Sequence, residues 1–191
     1  MELYLKWPGS KLDLAPTIGE LLGSAGLVRY CTPFLGGGGE LFGLARAGLL
    51  PPSVVAGDKN AAVMAVHRLV QASPDEVSAE LELLPQEPGW AKHYGQIRAD
   101  FNDSEGETPA RAARMIWLSR ACFNGIWREN HAGQMNQSVG RYKRLELPGP
   151  ELLLARSRDL SNVDLVVGDI PHAHAVGRVA GLSPQRASVH V

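Results

Sequence analysis

The sequence predicts an α/β protein, a parallel and doubly wound sheet interrupted by a mostly helical, basic insertion. Three observations carry this. Through residues 1–72, short apolar runs alternate with stretches of helical spacing, in the order β-α-β-α. From 73 to 148 the pattern turns helical, then rich in glycine and amide side chains. From 149 to 191 a helix and apolar runs restore the first pattern, so three segments are expected: an α/β half, an insertion, and a return to the sheet.

The elements follow in order. Leu12, Leu14, Ala15, Ile18, Leu21 and Leu22 recur near helical spacing, and Gly23 and Gly26 close that helix. Residues 27–32 form a short apolar run read as a buried strand, the glycines 36–39 follow it, and 40–50 returns to helical patterning. A second strand at 53–56 ends at Gly57 and Asp58, and 61–72 is helical. Ser73, Pro74 and Glu76 have the spacing of a capping box, which starts helical segments that run to about 103. Thr108 and Pro109 open another helix to about 122. Gly125, Gly133 and Gly140 within 123–144 suit a hairpin or irregular loop. A helix over 150–158 precedes a strand at 163–167, then a weak helix over 172–180 and a final strand at 187–191.

Composition removes several function classes. At 191 residues and 45% hydrophobic, the chain has the material for one compact core with a smaller insertion. It has no apolar run long enough to span a bilayer and no secretion-signal layout, and Cys31 and Cys122 lack a CxxC partner. These features predict a cytoplasmic protein with reduced thiols. His172 and His174 have no third ligand at sensible spacing, so no metal site is expected. Net charge is −1, but its distribution is uneven. Residues 109–144 hold Arg111, Arg114, Arg120, Arg128, Arg141, Lys143 and Arg144 against Glu129 alone, or +6, leaving −7 for the rest. A segment nearly free of carboxylates suits phosphate contact, and a solvated helix face with acids nearby in space is the competing reading.

The glycines 36–39, placed between a strand and a helix, allow backbone to approach a ligand closely. They match neither a strict G-x-G-x-x-G nor a P-loop. Asp58, at the end of the second strand about twenty residues on, stands where a ribose diol is gripped in dinucleotide folds. A plain helix cap is the other reading of Asp58.

Lys6, Trp7, Gly9 and Lys11 resemble the lysine-aromatic-x-Gly-x-Lys opening of the Dam-type (D12 class) site-specific adenine DNA methyltransferases. The resemblance continues through Pro33, Phe34, Gly36 and Gly38, then Asp58 and Asn60 in the pattern Asp-x-Asn. Phe123, Asn124, Gly125 and Arg128 resemble the start of that family's recognition loop. Gly133, Asn136 and the run Gly140, Arg141, Tyr142, Lys143 keep its spacing without gaps, and Gly168, Asp169 and Ile170 resemble the strand end beside the cofactor adenine. The resemblance implies a Rossmann-like S-adenosylmethionine-dependent methyltransferase sheet with an inserted DNA-recognition domain. It also implies N6 methylation of adenine in a short duplex site. Trp7, Lys11, Phe34, Gly36, Gly38, Asp58, Asp169 and Ile170 would line the cofactor site. Phe123, Asn124, Ile126, Arg128, Arg141 and Lys143 would touch double-stranded DNA. Arg128 has the planar fork suited to a guanine edge, and Ser138 and Val139 stand where members that read GATC tend to carry proline, which leaves the recognition sequence open.

That family transfers methyl groups with Asp-Pro-Pro-Tyr, which this sequence lacks; its only Pro-Pro is Pro51 and Pro52. The sheet is therefore expected to be incomplete, with the chain ending before the catalytic motif and no catalytic residue assigned. A frameshift, a truncation and a split gene all produce such an ending. The alternatives to a truncated, inactive methyltransferase are a non-catalytic DNA-binding module and one subunit of a split enzyme whose second polypeptide carries the motif.

Overall fold

A computed structural model describes residues 3–24, 26 and 28–168. Three parallel strands lie side by side in chain order: β1 (Arg29–Thr32), β2 (Ser53–Asp58) and β3 (Val163–Val167). Tyr30 pairs with Val54, and Ala56 with Leu165. The middle strand β2 is buried along nearly its whole length, because both of its edges are paired. This order explains why Val54, Val55 and Ala56 form an unbroken apolar run, whereas β1 and β3 are only partly buried.

Seven α-helices are found among the described residues: α1 (Ala15–Ser24), α2 (Gly39–Arg46), α3 (Ala61–Ala72), α4 (Pro74–Glu82), α5 (Tyr94–Asp103), α6 (Pro109–Ala121) and α7 (Pro150–Leu160). Two of them start on a side-chain cap. Thr108 caps α6 by accepting from the Arg111 N–H at 3.3 Å, with Pro109 at the first position. Asn60 caps α3 through its side-chain oxygen, which accepts from Ala62 and Val63. Ser73 departs from expectation. It makes no side-chain cap for α4, and because it also terminates α3 its N–H donates to the Leu69 carbonyl, which leaves Glu76 without the donor that a capping box requires. Two short 3₁₀ turns, Leu12–Leu14 and Trp90–His93, precede α1 and α5.

The connection from β2 to β3 contains α3–α7 and therefore the whole basic segment. α6 packs on both α3 and α4, and α7 also packs on both. One continuous apolar core results, running from Val54 and Ala56 in the sheet through Val63, Met64 and Val70 to Ile116, Trp117 and Leu118. Trp117 is fully buried, and its indole N–H donates to the Pro85 carbonyl at 2.7 Å. Past α6 the chain forms a hairpin-like excursion, with antiparallel bridges pairing Cys122 with Val139 and Glu129 with Met135. The helix expected over 172–180 and the strand over 187–191 lie outside the described residues.

Candidate functional site

The carboxyl ends of β1 and β2 open into a cleft of about 500 Å³. Its walls are the turn carrying Trp7 and Lys11, the end of β1 with Tyr30, Cys31 and Thr32, the loop from Pro33 to the start of α2, and Asp58. Open parallel sheets hold ligands at this end of the strands, where loops rather than pleated backbone form the wall.

The loop is held at its first glycine. The Gly36 N–H donates to one carboxylate oxygen of Asp58 at 2.9 Å, and the Asn60 N–H donates to the other at 2.9 Å. The Gly36 carbonyl accepts from His67 Nε2 at 2.7 Å. A carbonyl only accepts, so Nε2 carries the proton, and Nδ1 takes the short hydrogen bond from the Tyr4 hydroxyl. His67 is fully buried, and burial pushes it down to about 4, against smaller opposing effects of its bond to Gly36 and the Asp58 charge. Asp58 therefore does not cap α3. It ties the glycine loop to the end of β2.

Glycine is required here by space. Trp7 lies so close to the loop that a Cβ on Gly36 or Gly37 would sit 2.9 Å from its side chain. Gly38 has φ +77°, and a Cβ there would run into the Phe42 ring. Gly38 turns the chain into α2 without itself lining the cleft. Phe34 stands on the rim, 67% exposed. Lys11 is exposed and donates to the Gly9 carbonyl at 3.0 Å. Glu40 in the first turn of α2 also lines the cleft, a residue that sequence reading missed because nothing in its spacing marks it. Its carboxyl is raised above the usual range by burial, with Lys11 acting against that. Asp169 and Ile170 lie outside the described residues.

The hairpin residues gather beside this cleft. Asn124 and Gly125 both adopt positive φ, +55° and +67°, in a tight reversal that an Asn-Gly pair tolerates. A Cβ on Gly125 would collide with the aliphatic stem of Lys6. Phe123 and Ile126 are 43% and 46% exposed, so Phe123 is surface and not core. The exposed Arg128 donates from Nε to Asn136 Oδ1 at 2.9 Å across the hairpin. Tyr142 turns inward to stack on Trp90, while Arg141 and Lys143 on either side of it are exposed.

α5 clamps the second arm. Asn102 copies a strand neighbour, accepting from the Met135 N–H at 2.9 Å and donating to its carbonyl at 3.0 Å. One helical turn back, Arg98 donates to the Gln137 carbonyl at 3.1 Å, and Tyr94 donates to the same oxygen at 2.9 Å. Three of the seven basic residues are already engaged elsewhere. Arg120 is mostly desolvated and lowered to about 10, and donates to the Leu3 and Tyr4 carbonyls. Arg111 lies over the Phe101 ring, and Arg144 pairs with Glu87 at 3.1 Å.

A match to the D12 class N6 adenine-specific DNA methyltransferase family covers residues 7–173, from the Trp7 turn through the hairpin to beyond β3. The chain belongs to that family. It is 30% identical to a type II methyltransferase of Methanocaldococcus jannaschii, over 87% of this chain and 61% of that one. It is 31% identical to the DNA adenine methylase of Escherichia coli K12, over 78% of this chain and 51% of the other. Against a DNA N-6-adenine-methyltransferase of phage P1 it is 29% identical over 77% of its length and 19% of the relative's. This D12-class chain thus spans between a fifth and about three-fifths of the length of these relatives. No helix among its described residues is long and apolar enough to cross a membrane.

Proposed function

We propose that this chain holds S-adenosylmethionine in the cleft at the ends of β1 and β2 and presents its hairpin to duplex DNA, as the cofactor-binding and target-reading part of an N6-adenine methyltransferase. The observation that carries the reading is the glycine loop bonded to Asp58, placed beside a hairpin that exposes Phe123, Ile126 and Arg128.

The cleft residues fit the cofactor. Its volume of about 500 Å³ is in the range of small-molecule sites. Each Asp58 oxygen accepts one backbone N–H and keeps a lone pair for a ribose hydroxyl. Lys11 and Glu40 complement the carboxylate and ammonium of a methionine moiety, and the Trp7 face suits a sulfonium. Phe34 covers the rim, Gly36 gives close approach, and Gly38 shapes the loop for both. Asp169 and Ile170 are proposed for the adenine end. S-adenosylmethionine, when bound, supplies an electrophilic methyl group. The chain's own residues orient it and bring the target strand alongside.

On the DNA side, Arg128 is proposed to read a guanine edge, its fork aimed by Asn136. Phe123 and Ile126 press on bases, and Asn124 sets the turn that exposes them. Arg141 and Lys143 contact phosphate. These 191 residues contain no Asp-Pro-Pro-Tyr, and their Pro51 and Pro52 precede β2, at the opposite end of the strand from the cleft. The base-holding groups are therefore proposed to come from outside these residues, on a longer form of the protein or on a second polypeptide.

Calorimetric titration with S-adenosylmethionine tests the assignment. Binding is expected for the wild type. Asp58→Asn, which keeps one acceptor oxygen for the loop but loses the charge, is expected to bind more weakly. Equal affinities for both proteins would remove the ribose from Asp58.

A further inference from the structure

Glu129 is the only carboxylate between residues 109 and 144, and it stands on the hairpin that is proposed to meet phosphate. An acid there opposes the approach of DNA, so its contacts matter. One oxygen, Oε1, accepts two hydrogen bonds, from Trp127 Nε1 at 2.7 Å and from Asn60 Nδ2 at 3.1 Å. Both partners lead to the cleft. Asn60 caps α3 with its own side-chain oxygen and donates its N–H to Asp58, which holds Gly36. Trp127 stacks on Trp7 with centroids 5.8 Å apart and an interplanar angle of 29°, and it also meets Phe101 edge-on at 5.4 Å. Trp7 in turn packs against Gly36 and Gly37. Two routes therefore leave one carboxylate oxygen and end on the same glycine loop.

We propose that Glu129 is a positioning residue that locks the recognition hairpin to the ligand cleft and so couples occupancy of the cleft to occupancy of the DNA face. The inference rests on the function proposed above. A ligand that fills the cleft restrains Trp7, and through the stack restrains Trp127 and the first arm of the hairpin. Without the Glu129 oxygen, the indole N–H and the Asn60 amide both lose their acceptor, and the stack is held by ring contact alone. Because coupling free energies are reciprocal, DNA on the hairpin must tighten the cleft ligand by the same factor.

The test is titration of the purified chain with S-adenosylhomocysteine, alone and with saturating mixed-sequence duplex. The wild-type ratio of the two affinities is expected to be about five-fold or more, within the usual range of coupling. Glu129→Ala is expected to bring the ratio near one. Glu129→Gln, which keeps an acceptor oxygen in place but not the charge, is expected to restore it, which neither a purely electrostatic nor a purely stabilising role predicts. Trp127→Phe keeps a ring and loses the donor, and it too is expected to lower the ratio, so the proposal does not hang on one variant folding. An unchanged ratio in Glu129→Ala, or a Gln variant that behaves like the Ala variant, overturns it. A wild type that binds the ligand equally with and without DNA overturns the coupling alone, whereas one that binds no ligand overturns the proposed cleft as well.

Discussion

His67 shows how a single side chain can set the shape of a loop without touching whatever fills the cleft. It is buried and neutral, receives the Tyr4 hydroxyl on one nitrogen and donates to Gly36 with the other. Protonation would put a second donor against Tyr4 and an uncompensated charge in the core. The folded-state value of about 4 lies below the ordinary 6.5, so the unfolded chain binds more protons between those values. The contribution of His67 is complete above about pH 6.5 and is lost as pH falls toward 4, to a total of about 3 kcal/mol. Thermal melts between these pH values are expected to show a steeper fall for the wild type than for His67→Gln. Parallel curves would remove His67 as the cause. Gly38 belongs to the same scale. Its φ of +77° and the Phe42 ring above it predict that Gly38→Ala lowers the melting temperature by several degrees, at a cost of about 1–2 kcal/mol from the backbone alone.

A helix can take the place of a strand neighbour, and α5 does so for the hairpin. Tyr94, Arg98, Phe101 and Asn102 fall on one face at helical spacing, and three of them bond main-chain atoms of Met135 or Gln137. These bonds hold main-chain atoms of the second arm in addition to its two bridges to the first. Asn102→Ala would leave the N–H and carbonyl of Met135 unpaired where water has little access, at about 2 kcal/mol. In a chain of this size that corresponds to a loss of roughly 4–8 °C. Amide exchange should then accelerate across residues 129–137 while β2 stays protected. Faster exchange throughout, without a local excess, would mean that α5 supports the whole core and not the hairpin in particular.

Across the whole molecule, the charge that sequence counts as one block divides into structural and exposed parts. Arg120 is spent on backbone carbonyls and Arg111 on an aromatic ring, while Arg141 and Lys143 are exposed on the hairpin side. Lys143→Ala is expected to flatten the dependence of log DNA affinity on log salt by about one unit, and Arg111→Leu to leave the slope unchanged. Arg128→Ala should instead narrow the gap between preferred and unrelated sites by about 1–3 kcal/mol. If all three substitutions shift every sequence alike, the division between reading and clamping fails. With no Asp-Pro-Pro-Tyr among its residues, the chain incubated with tritiated S-adenosylmethionine and GATC-rich DNA is expected to transfer no label. Label above background would place base-holding groups within these 191 residues.

Much of this was written locally. The strand at 163–167, the helix start at Thr108, the glycine loop between strand and helix, and the family motifs were all legible, since each depends on neighbours a few residues apart. The order of partners was not. Sequence marked Asp58 as a ribose ligand or a cap, and only the fold placed its carboxylate on the N–H of Gly36, twenty-two residues away. It marked Glu129 as the exception in a basic segment, and only the fold put Asn60 and Trp127 on one of its oxygens. Glu40, His67 and Asn102 carried no signal at all. Their roles come from burial and from which distant backbone atoms are left needing a partner, and in this chain the core that α3, α4, α6 and α7 build together decides both.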